Sequence, residues 1–297
     1  MLRRLIDDPI YYQRRLRLAL ARLGRPKKRP DALAAMLGHL GVQPGRIVLV
    51  HSSLSAVQAA CDISAGQLLD MLRNLLTPAG TLAMPVFPFT GSVAAYLDTL
   101  SQPTDIRSLP SQTGLLTEML RRSPEAEHSL HPTHAVVAVG ARAKWLTGAH
   151  LDDDQPFGPH SPYQRLCDAK GLLLGLGVDY RAFASFHLAD ALTDADRPNR
   201  SMFGPVQHVE CIDAQQGQWT QAVRPLRPNV PRCVFRHYLN LRRSGAARSQ
   251  NVRGQPFVSI EAQALPATLG RLQQTGQSPA SCGPFWRFME RCYLANY

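Results

Sequence analysis

The chain has 297 residues, of which 44% are hydrophobic and 19% charged, and its net charge is +11. This length suits one large α/β domain or two modest ones, and the composition excludes a disordered chain. No stretch approaches the roughly 18 uninterrupted apolar residues that cross a bilayer, and the first residues lack the apolar region of a secretory signal. Six scattered cysteines form no C-x-x-C pair, so we expect a cytoplasmic protein with reduced thiols and no metal.

Residues 1–29 form a basic N-terminal arm, with ten arginines or lysines and only two acids. Apolar residues recur at helical spacing between Asp8 and Leu23, which predicts a helix that prolines then interrupt. A docked arm is the default interpretation. A peripheral membrane contact and a subunit contact, as in a homodimer, stay open.

The first buried strand is predicted from Arg46 to His51, an apolar β-branched run that is typical of a parallel strand. Ser52, Ser53 and Leu54 follow it directly. Hydroxyls and backbone amides at the carboxyl end of a strand suit an anionic or amide-bearing cofactor. Capping of the next helix by the serines explains the same residues equally simply.

A second strand is predicted from Thr81 to Pro85, after a Pro-Ala-Gly turn. The next segment, which contains Phe87, is too rich in proline to pair within a sheet, so we expect a loop there. Ser111, Thr113 and Gly114 open a helix at the end of a long irregular stretch. Ordered irregular loops often carry function, so this stretch is a candidate wall of a ligand pocket.

The most informative stretch runs from Ser129 to Gly140, where His131 and His134 precede a short apolar strand. Imidazole accepts and donates protons near neutral pH, and a strand end is a common place for such a group in α/β enzymes. Spacing alone slightly favours structural histidines that hydrogen-bond at the start of a strand.

Another buried strand, from Lys170 to Gly177, precedes a helix that carries His187 and Asp190 on one face. Strands alternate with helices up to about residue 195, which predicts an α/β sheet, and a smaller α+β part follows. A second basic segment, residues 224–253, holds eight arginines and no acid. Aromatic residues are not interleaved with these arginines as a base-stacking surface requires, so we expect no nucleic acid partner.

Six short motifs occur in order, and each of them is weak alone. They are His51-Ser-Ser-Leu, Gly80-Thr-Leu-x-Met-Pro85, Pro110-Ser-x-x-Gly-Leu-Leu-Thr-Glu118, His131-Pro-Thr-His134, Pro156-Phe-Gly-Pro-x-Ser-Pro162 and Leu173-Leu-Gly-x-Gly followed by Phe186-His-Leu-Ala-Asp190. Together this series resembles the aminoglycoside 3-N-acetyltransferase family over about residues 35–200.

The resemblance implies a three-layer α/β/α fold around a central mixed, mainly parallel sheet. It implies an acetyl-CoA-binding α/β core over residues 30–200. Beyond the reach of the resemblance, we expect residues 201–297 to form a C-terminal α+β part that is packed on the same core and sets substrate selectivity. The reaction implied is direct attack of an amine on acetyl-CoA, with a histidine as general base and no metal.

The resemblance also implies roles for particular residues. His131 is favoured as the general base, with His134, His187 and Asp190 as further catalytic candidates. Asp190 stands where the family has glutamate, which draws the carboxylate back by one methylene. The implied cofactor-binding residues are His51, Ser52, Ser53, Leu54, Ser111, Thr113 and Gly114, and the substrate-binding candidates are Phe87, Thr133, Asp154 and Asp179.

The charge balance bears on the acceptor, a small-molecule amine. A pocket for a polycationic aminoglycoside should be rich in acids, but the chain has only 22 acids, and Asp152, Asp153, Asp154 and Asp179 are the obvious acidic residues near the expected site. We therefore favour an anionic or nucleotide-linked amino sugar over a cationic antibiotic. The alternatives are an O-acyltransferase, a user of longer acyl groups, or a non-catalytic member of the same fold.

Overall fold

The structure is a computed structural model that describes residues 26–100, 103–192, 201–227, 234–274 and 283–295, without the side chains of Asp190, Gln273 and Ala295. The predicted N-terminal helix lies outside these described residues. No helix within them is long and apolar enough to cross a membrane.

Helices and strands alternate along most of the described chain, as predicted. The helices are α1 Pro30–His39, α2 Leu54–Ala60, α3 Ala65–Leu76, α4 Val93–Leu97, α5 Leu115–Arg121, α6 Ala143–Thr147, α7 Pro162–Asp168, α8 Phe186–Leu192, α9 Val234–Arg243, α10 Ala264–Gln274 and α11 Pro284–Ala295. The strands are β1 Ile47–Ser52, β2 Thr81–Val86, β3 Thr104–Asp105, β4 Glu127–His128, β5 Ala135–Gly140, β6 Leu172–Leu176, β7 Gln207–Asp213, β8 Gly217–Val223, β9 Ala247–Val252 and β10 Gln255–Glu261.

Seven strands form one mixed sheet in the order β4-β5-β2-β1-β6-β10-β9. The central strand β1 is parallel to both β2 and β6. The other four pairs, β4 with β5, β5 with β2, β6 with β10 and β10 with β9, are antiparallel. The sheet is mixed, as predicted, but the expectation that it is mainly parallel is wrong.

The error has a physical cause in strands β5 and β10. All but one residue of β10 are buried, as are the first four residues of β5, so neither strand alternates between buried and exposed residues over that length. That pattern is usual for parallel strands, because helices cover both faces of a parallel sheet. Antiparallel strands that are covered in the same way carry the same pattern, so hydrophobicity alone could not set their direction.

The C-terminal part divides between two sheets. Strands β9 and β10 extend the main sheet, whereas β7 and β8 form a three-stranded sheet with β3 from the first half of the chain. Thr104 of β3 lies in parallel register with Cys211 of β7. The region after residue 201 is therefore joined to the core by strand pairing in both sheets.

Both faces of the main sheet are buried. Along β1, Ile47 and Leu49 join one apolar cluster and Val48 and Val50 join another. Successive side chains on a strand point to opposite faces, so this division follows from the strand itself.

The fold brings the predicted motifs to one edge of the sheet. The carboxyl ends of β1 and β6 meet there, with Ser52 opposite Leu176. Strand β5 runs the other way and begins at the same edge, with Ala135 opposite Val86 at the end of β2. The residues after β1, β2 and β6 and those before β5 are therefore neighbours.

Candidate functional site

A cavity of about 330 Å³ opens at this edge of the sheet. Three predicted site residues line it, namely Phe87, His134 and His187. The other walls come from residues 89, 91–93, 181–184 and 226–227. The cavity therefore combines two imidazoles with aromatic and arginine side chains.

His134 is a buried ring within an aromatic cage. Its centroid lies 4.8 Å from that of Phe87 and 5.2 Å from those of Phe89 and Phe157. Burial, together with the neighbouring His187 and His150, holds the pKa of His134 well below its usual value of 6.5. His134 is therefore a neutral imidazole at neutral pH.

His131 holds the turn that precedes β5. Its Nδ1 accepts the backbone N–H groups of Thr133 at 3.2 Å and His134 at 3.3 Å. The ring is 1% exposed and stacks on His150 with 4.6 Å between centroids. Burial lowers the pKa of His131 well below its usual value, with His150 and His134 adding to the effect. His131 is not among the described residues that line the cavity.

Thr133 links the two imidazoles. Its Oγ1 lies 3.2 Å from Nδ1 of His131 and 2.9 Å from Nδ1 of His134. Because Nδ1 of His131 already accepts backbone N–H groups, it carries no proton. The hydroxyl can then donate to His131 while it accepts from Nδ1–H of His134, which leaves Nε2 of His134 unprotonated. Thr133 is fully buried, and its role as a substrate-binding residue stays a prediction.

His150 supports this cluster, although no pattern in the sequence marked it as a site residue. Its Nε2 donates to the carbonyl of Pro156 at 3.0 Å, and its Nδ1 lies 2.9 Å from Oγ of Ser129. Burial lowers the pKa of His150 to about 3. His150 is therefore a neutral ring with both nitrogens hydrogen-bonded, and His131 stacks on it.

His187 differs from these rings because it is only partly buried. It lies in the first turn of α8, lines the cavity and packs on Phe157 with 5.2 Å between centroids. The backbone of Asp190 belongs to the same helix. The side chain of Asp190 lies outside the described part of the chain, so its pairing with a histidine stays a prediction.

The charged residues of the cavity are arginines. Arg181 and Arg227 line it, and the described lining residues include no aspartate or glutamate. The two acids predicted to bind substrate each lie beside an arginine. Asp179 pairs with Arg181 at 2.7 Å, and Oδ2 of Asp154 lies 3.3 Å from Nε of Arg224. Within the described residues, no group of three or more potential ligands could hold a metal ion.

Comparison with known proteins identifies the family. The family model of aminoglycoside 3-N-acetyltransferases matches residues 49–272, about three quarters of the chain. The chain belongs to this family. It is 34% identical over 169 residues to aminoglycoside N(3)-acetyltransferase IV of Salmonella sp, which covers 55% of this chain. That match spans 59% of the relative, so the chain covers about three fifths of its length.

Two further comparisons extend over more of the chain. Aminoglycoside N(3)-acetyltransferase IX of Micromonospora chalcea is 28% identical over 269 residues, covering 85% of this chain and 88% of the relative. A solved structure described as AAC-IIIb binary with CoASH superposes with a TM-score of 0.69 at 22% identity, covering 86% of this chain and all of that one. This structural likeness confirms the fold.

The family's His51-Ser-Ser-Leu motif lies behind the cavity wall. His51 is 6% exposed, and its ring meets that of Phe183 edge-on with 5.2 Å between centroids. Neither ring nitrogen has a hydrogen-bond partner among the described residues. Burial lowers the pKa of His51 to about 3. Ser52 ends β1, and the N–H of Ser53 donates to the carbonyl of Leu176 at 2.9 Å, just before Leu54 begins α2.

Close packing at this motif requires a glycine. Gly177, at the end of β6, has a φ of +70°, and a Cβ there would lie 2.7 Å from Cβ of Ala56. Only glycine lets α2 approach the strand this closely. The second glycine of the family's Leu-Leu-Gly-x-Gly motif thus sets where the motif residues lie.

The family segment from Ser111 to Gly114 forms a hydroxyl network. Oγ1 of Thr113 donates to the carbonyl of Pro85 at 2.9 Å and lies 2.7 Å from Oγ of Ser111. The N–H of Ser111 donates to Glu118 at 2.6 Å, and Gly114 precedes α5 with a φ of +120°. These bonds fix the loop after β2, and cofactor binding by these three residues stays a prediction.

Ten of the thirteen described lining residues escaped the sequence analysis, and Phe89, Arg181, Phe183 and Arg227 are the aromatic and charged ones among them. Phe89 is separated from Phe87 by one proline, and Arg181 and Phe183 follow Asp179, so proximity to predicted residues was an available signal. Arg227 lies in the arginine-rich segment, where nothing in the sequence distinguishes it from its neighbours.

Proposed function

We propose that this family member transfers an acetyl group from acetyl-CoA to a primary amine of a small amino-sugar acceptor. The observation that carries the proposal is the cavity at the sheet edge, where a partly exposed His187 faces a neutral His134. The names of the curated relatives support amine acetylation, and the CoASH of the structural neighbour supports coenzyme A as the acyl carrier.

The residues present fit an amide-bearing cofactor such as coenzyme A. A buried imidazole without partners is costly, because each unpaired nitrogen loses its hydrogen bonds to water. Within the described part of the chain, His51 is in this position, and its ring packs on Phe183, a residue of the cavity wall. The amides of a pantetheine arm supply both N–H donors and carbonyl acceptors, which are the two kinds of partner that a neutral imidazole needs. Acetyl-CoA, when bound, supplies the activated acetyl thioester.

We assign the proton transfer to His187. An alkylamine has a pKa near ~10, so it must lose a proton before it can attack a thioester. A general base works best when its pKa lies near the working pH, and burial holds the pKa of both His131 and His134 far below that range. His187 is less buried and lines the cavity, whereas His131, the candidate favoured by sequence, faces backbone N–H groups.

The other residues of the site orient the acceptor. When Nδ1–H of His134 donates to the hydroxyl of Thr133, Nε2 of His134 carries no proton. This nitrogen can then accept a hydrogen bond from an N–H or O–H group of the amino-sugar substrate beside His187. Phe87 and Phe89 stack with 5.9 Å between centroids and exclude water from the same wall. The neutral amine would attack the thioester carbon directly, and the proton that it then sheds would pass to the imidazole of His187. The bond from the acetyl carbon to sulfur would break, and that proton would go to the sulfur of the departing coenzyme A. No side chain forms a covalent intermediate.

We further propose that the acceptor carries an anionic group, as a phosphorylated or nucleotide-linked amino sugar does. Arg181 is already paired with Asp179. Arg227 lines the cavity, and no carboxylate of the described residues pairs with it. A polycationic acceptor would meet like charge at Arg227, whereas a phosphate would form a charge-assisted hydrogen bond there.

The test is a release assay for free coenzyme A with two matched acceptors, a nucleotide-linked amino sugar and a cationic aminoglycoside. We expect kcat/KM to be at least about tenfold higher for the anionic acceptor. Arg227→Gln should lower that value by about 10–100-fold, since a charged hydrogen bond contributes about 1.5–3 kcal/mol. Arg224→Gln, beside Asp154 and outside the cavity lining, is the matched control.

The two parts of the proposal fail separately. If no amine of either kind stimulates release of coenzyme A, the acetyltransferase assignment is wrong. If the cationic aminoglycoside is acetylated more efficiently than the anionic acceptor, only the preference for an anion is wrong.

A further inference from the structure

The C-terminal helix α11 reaches the cavity wall from behind. It packs on α9, where the guanidinium of Arg236 lies 5.1 Å from the ring centroid of Trp286 and Phe235 lies 5.3 Å from Tyr293. Glu290 is the single acid of α11 and is partly buried. The helix is thus anchored by aromatic contacts that turn its one carboxylate toward the core.

Glu290 holds a buried tyrosine. The hydroxyl of Tyr180 donates to Oε1 of Glu290 at 2.6 Å, a charge-assisted bond between residues 110 positions apart. Tyr180 is fully buried, and its ring stacks on Tyr238 with 4.2 Å between centroids and 10° between planes. Burial and the bond to Glu290 raise the pKa of Tyr180 far above its usual value, so the hydroxyl keeps its proton.

Tyr180 in turn begins a short 3-10 turn that forms part of the cavity. The turn runs Tyr180–Ala182, and Asp179 caps it by accepting the N–H of Arg181 at 3.0 Å. Arg181, Ala182 and Phe183 all line the cavity. The stacking of Tyr180 on Tyr238 and the hydrogen bond to Glu290 both hold the first residue of this turn.

We propose that Glu290 is a positioning residue, which acts through Tyr180 to set the cavity wall and thereby the affinity for the acceptor. This inference rests on the proposed function. It gives α11, which lies more than 100 residues from Tyr180 in sequence, a defined part in binding the amino-sugar substrate. It requires a hydrogen-bond acceptor at position 290 and a hydroxyl at position 180.

The experiment compares Tyr180→Phe, Glu290→Ala and Glu290→Gln with Arg291→Ala, a change at an exposed position of the same helix. We expect Tyr180→Phe and Glu290→Ala to raise the KM for the acceptor about tenfold, with kcat and the KM for acetyl-CoA within about threefold of the unmodified chain. Glu290→Gln should restore acceptor binding, because a carboxamide oxygen still accepts from the tyrosine hydroxyl. Arg291→Ala should match the unmodified chain.

A thermal melt of each variant separates positioning from simple loss of fold. If Glu290→Gln is as impaired as Glu290→Ala, or if acceptor KM is unchanged in Tyr180→Phe, the inference is overturned. A loss of kcat in proportion to unfolded protein, with both KM values unchanged, also overturns it. Absence of acetyl transfer by the unmodified chain would instead refute the proposed function.

Discussion

Four buried histidines should make the folded chain sensitive to mild acid. His51, His131, His134 and His150 are each no more than 6% exposed. Burial lowers the pKa of His51 and His150 to about 3, and it lowers the pKa of the other two well below the usual 6.5. Between the folded and unfolded pKa values, only the unfolded chain binds these protons, so stability is complete above pH ~6.5 and falls as the pH falls.

The magnitude follows from the linkage between proton binding and folding. Each such histidine removes about 1.4 kcal/mol of stability per pH unit once the pH is below the unfolded pKa. For His51 and His150 together, acidification from pH 6.5 to 5.0 should cost about 3 to 4 kcal/mol. Ordinary domains are stable by only about 5 to 15 kcal/mol, so the loss is a large share of the total. Urea denaturation followed by circular dichroism between pH 5 and pH 7.5 measures it.

His51→Leu gives the matched test, because it removes one buried titrating ring whose nitrogens have no partner within the described segments. We expect its stability to fall less steeply with acid, by about 1.4 kcal/mol per pH unit. His208→Asn, at an exposed position of β7, is the control and should keep the slope of the unmodified chain. Stability that is flat from pH 7 to pH 5, or an equal slope in both variants, would refute the reasoning.

Three further substitutions test local features of the fold and site. Gly140→Ala should destabilise the chain by about 3 kcal/mol or more in urea denaturation, because φ is +124° and a Cβ would overlap the carbonyl of Gly80. Glu118→Ala should cost about 2 to 3 kcal/mol, because it removes the bonds of that carboxylate to Arg121 and to the N–H of Ser111; unchanged stability would contradict this. Thr133→Val should change the tautomer of His134, which nitrogen-15 NMR of the ring reports, and an unchanged tautomer would contradict the hydroxyl link.

The sequence predicted the strand ends well because short apolar runs bounded by turns are local features. The run before His51 and the run after His134 are both strands, and their motifs meet at one sheet edge. The direction of β5 and β10 could not be predicted from the sequence. Burial on both faces of the sheet removes the alternation of apolar and polar residues that marks an antiparallel strand with one exposed face.

The relative roles of the histidines were also beyond the sequence. His131 and His134 are three residues apart in one turn, and spacing gives no reason to prefer the ring that faces the cavity. Which ring faces the cavity depends on later residues of the chain. His150 stacks on His131, and Phe157 meets the ring of His134. Arg227 shows the same limit, because only the folded chain separates it from the other arginines of its segment.

The central claim is that His187 accepts the proton of the acceptor amine. The most direct measurement is the turnover number for release of coenzyme A by His187→Gln and His131→Asn, each compared with its own melting temperature. We expect His187→Gln to lose about 10²–10⁴-fold in kcat with an unchanged melting temperature. We expect His131→Asn to lose stability, because it removes the ring that stacks on His150. Its carboxamide oxygen can still accept the two backbone N–H groups, and the folded fraction should keep most of its turnover. More than about a tenth of the original rate in His187→Gln, with turnover abolished in a stable His131→Asn, would contradict the claim.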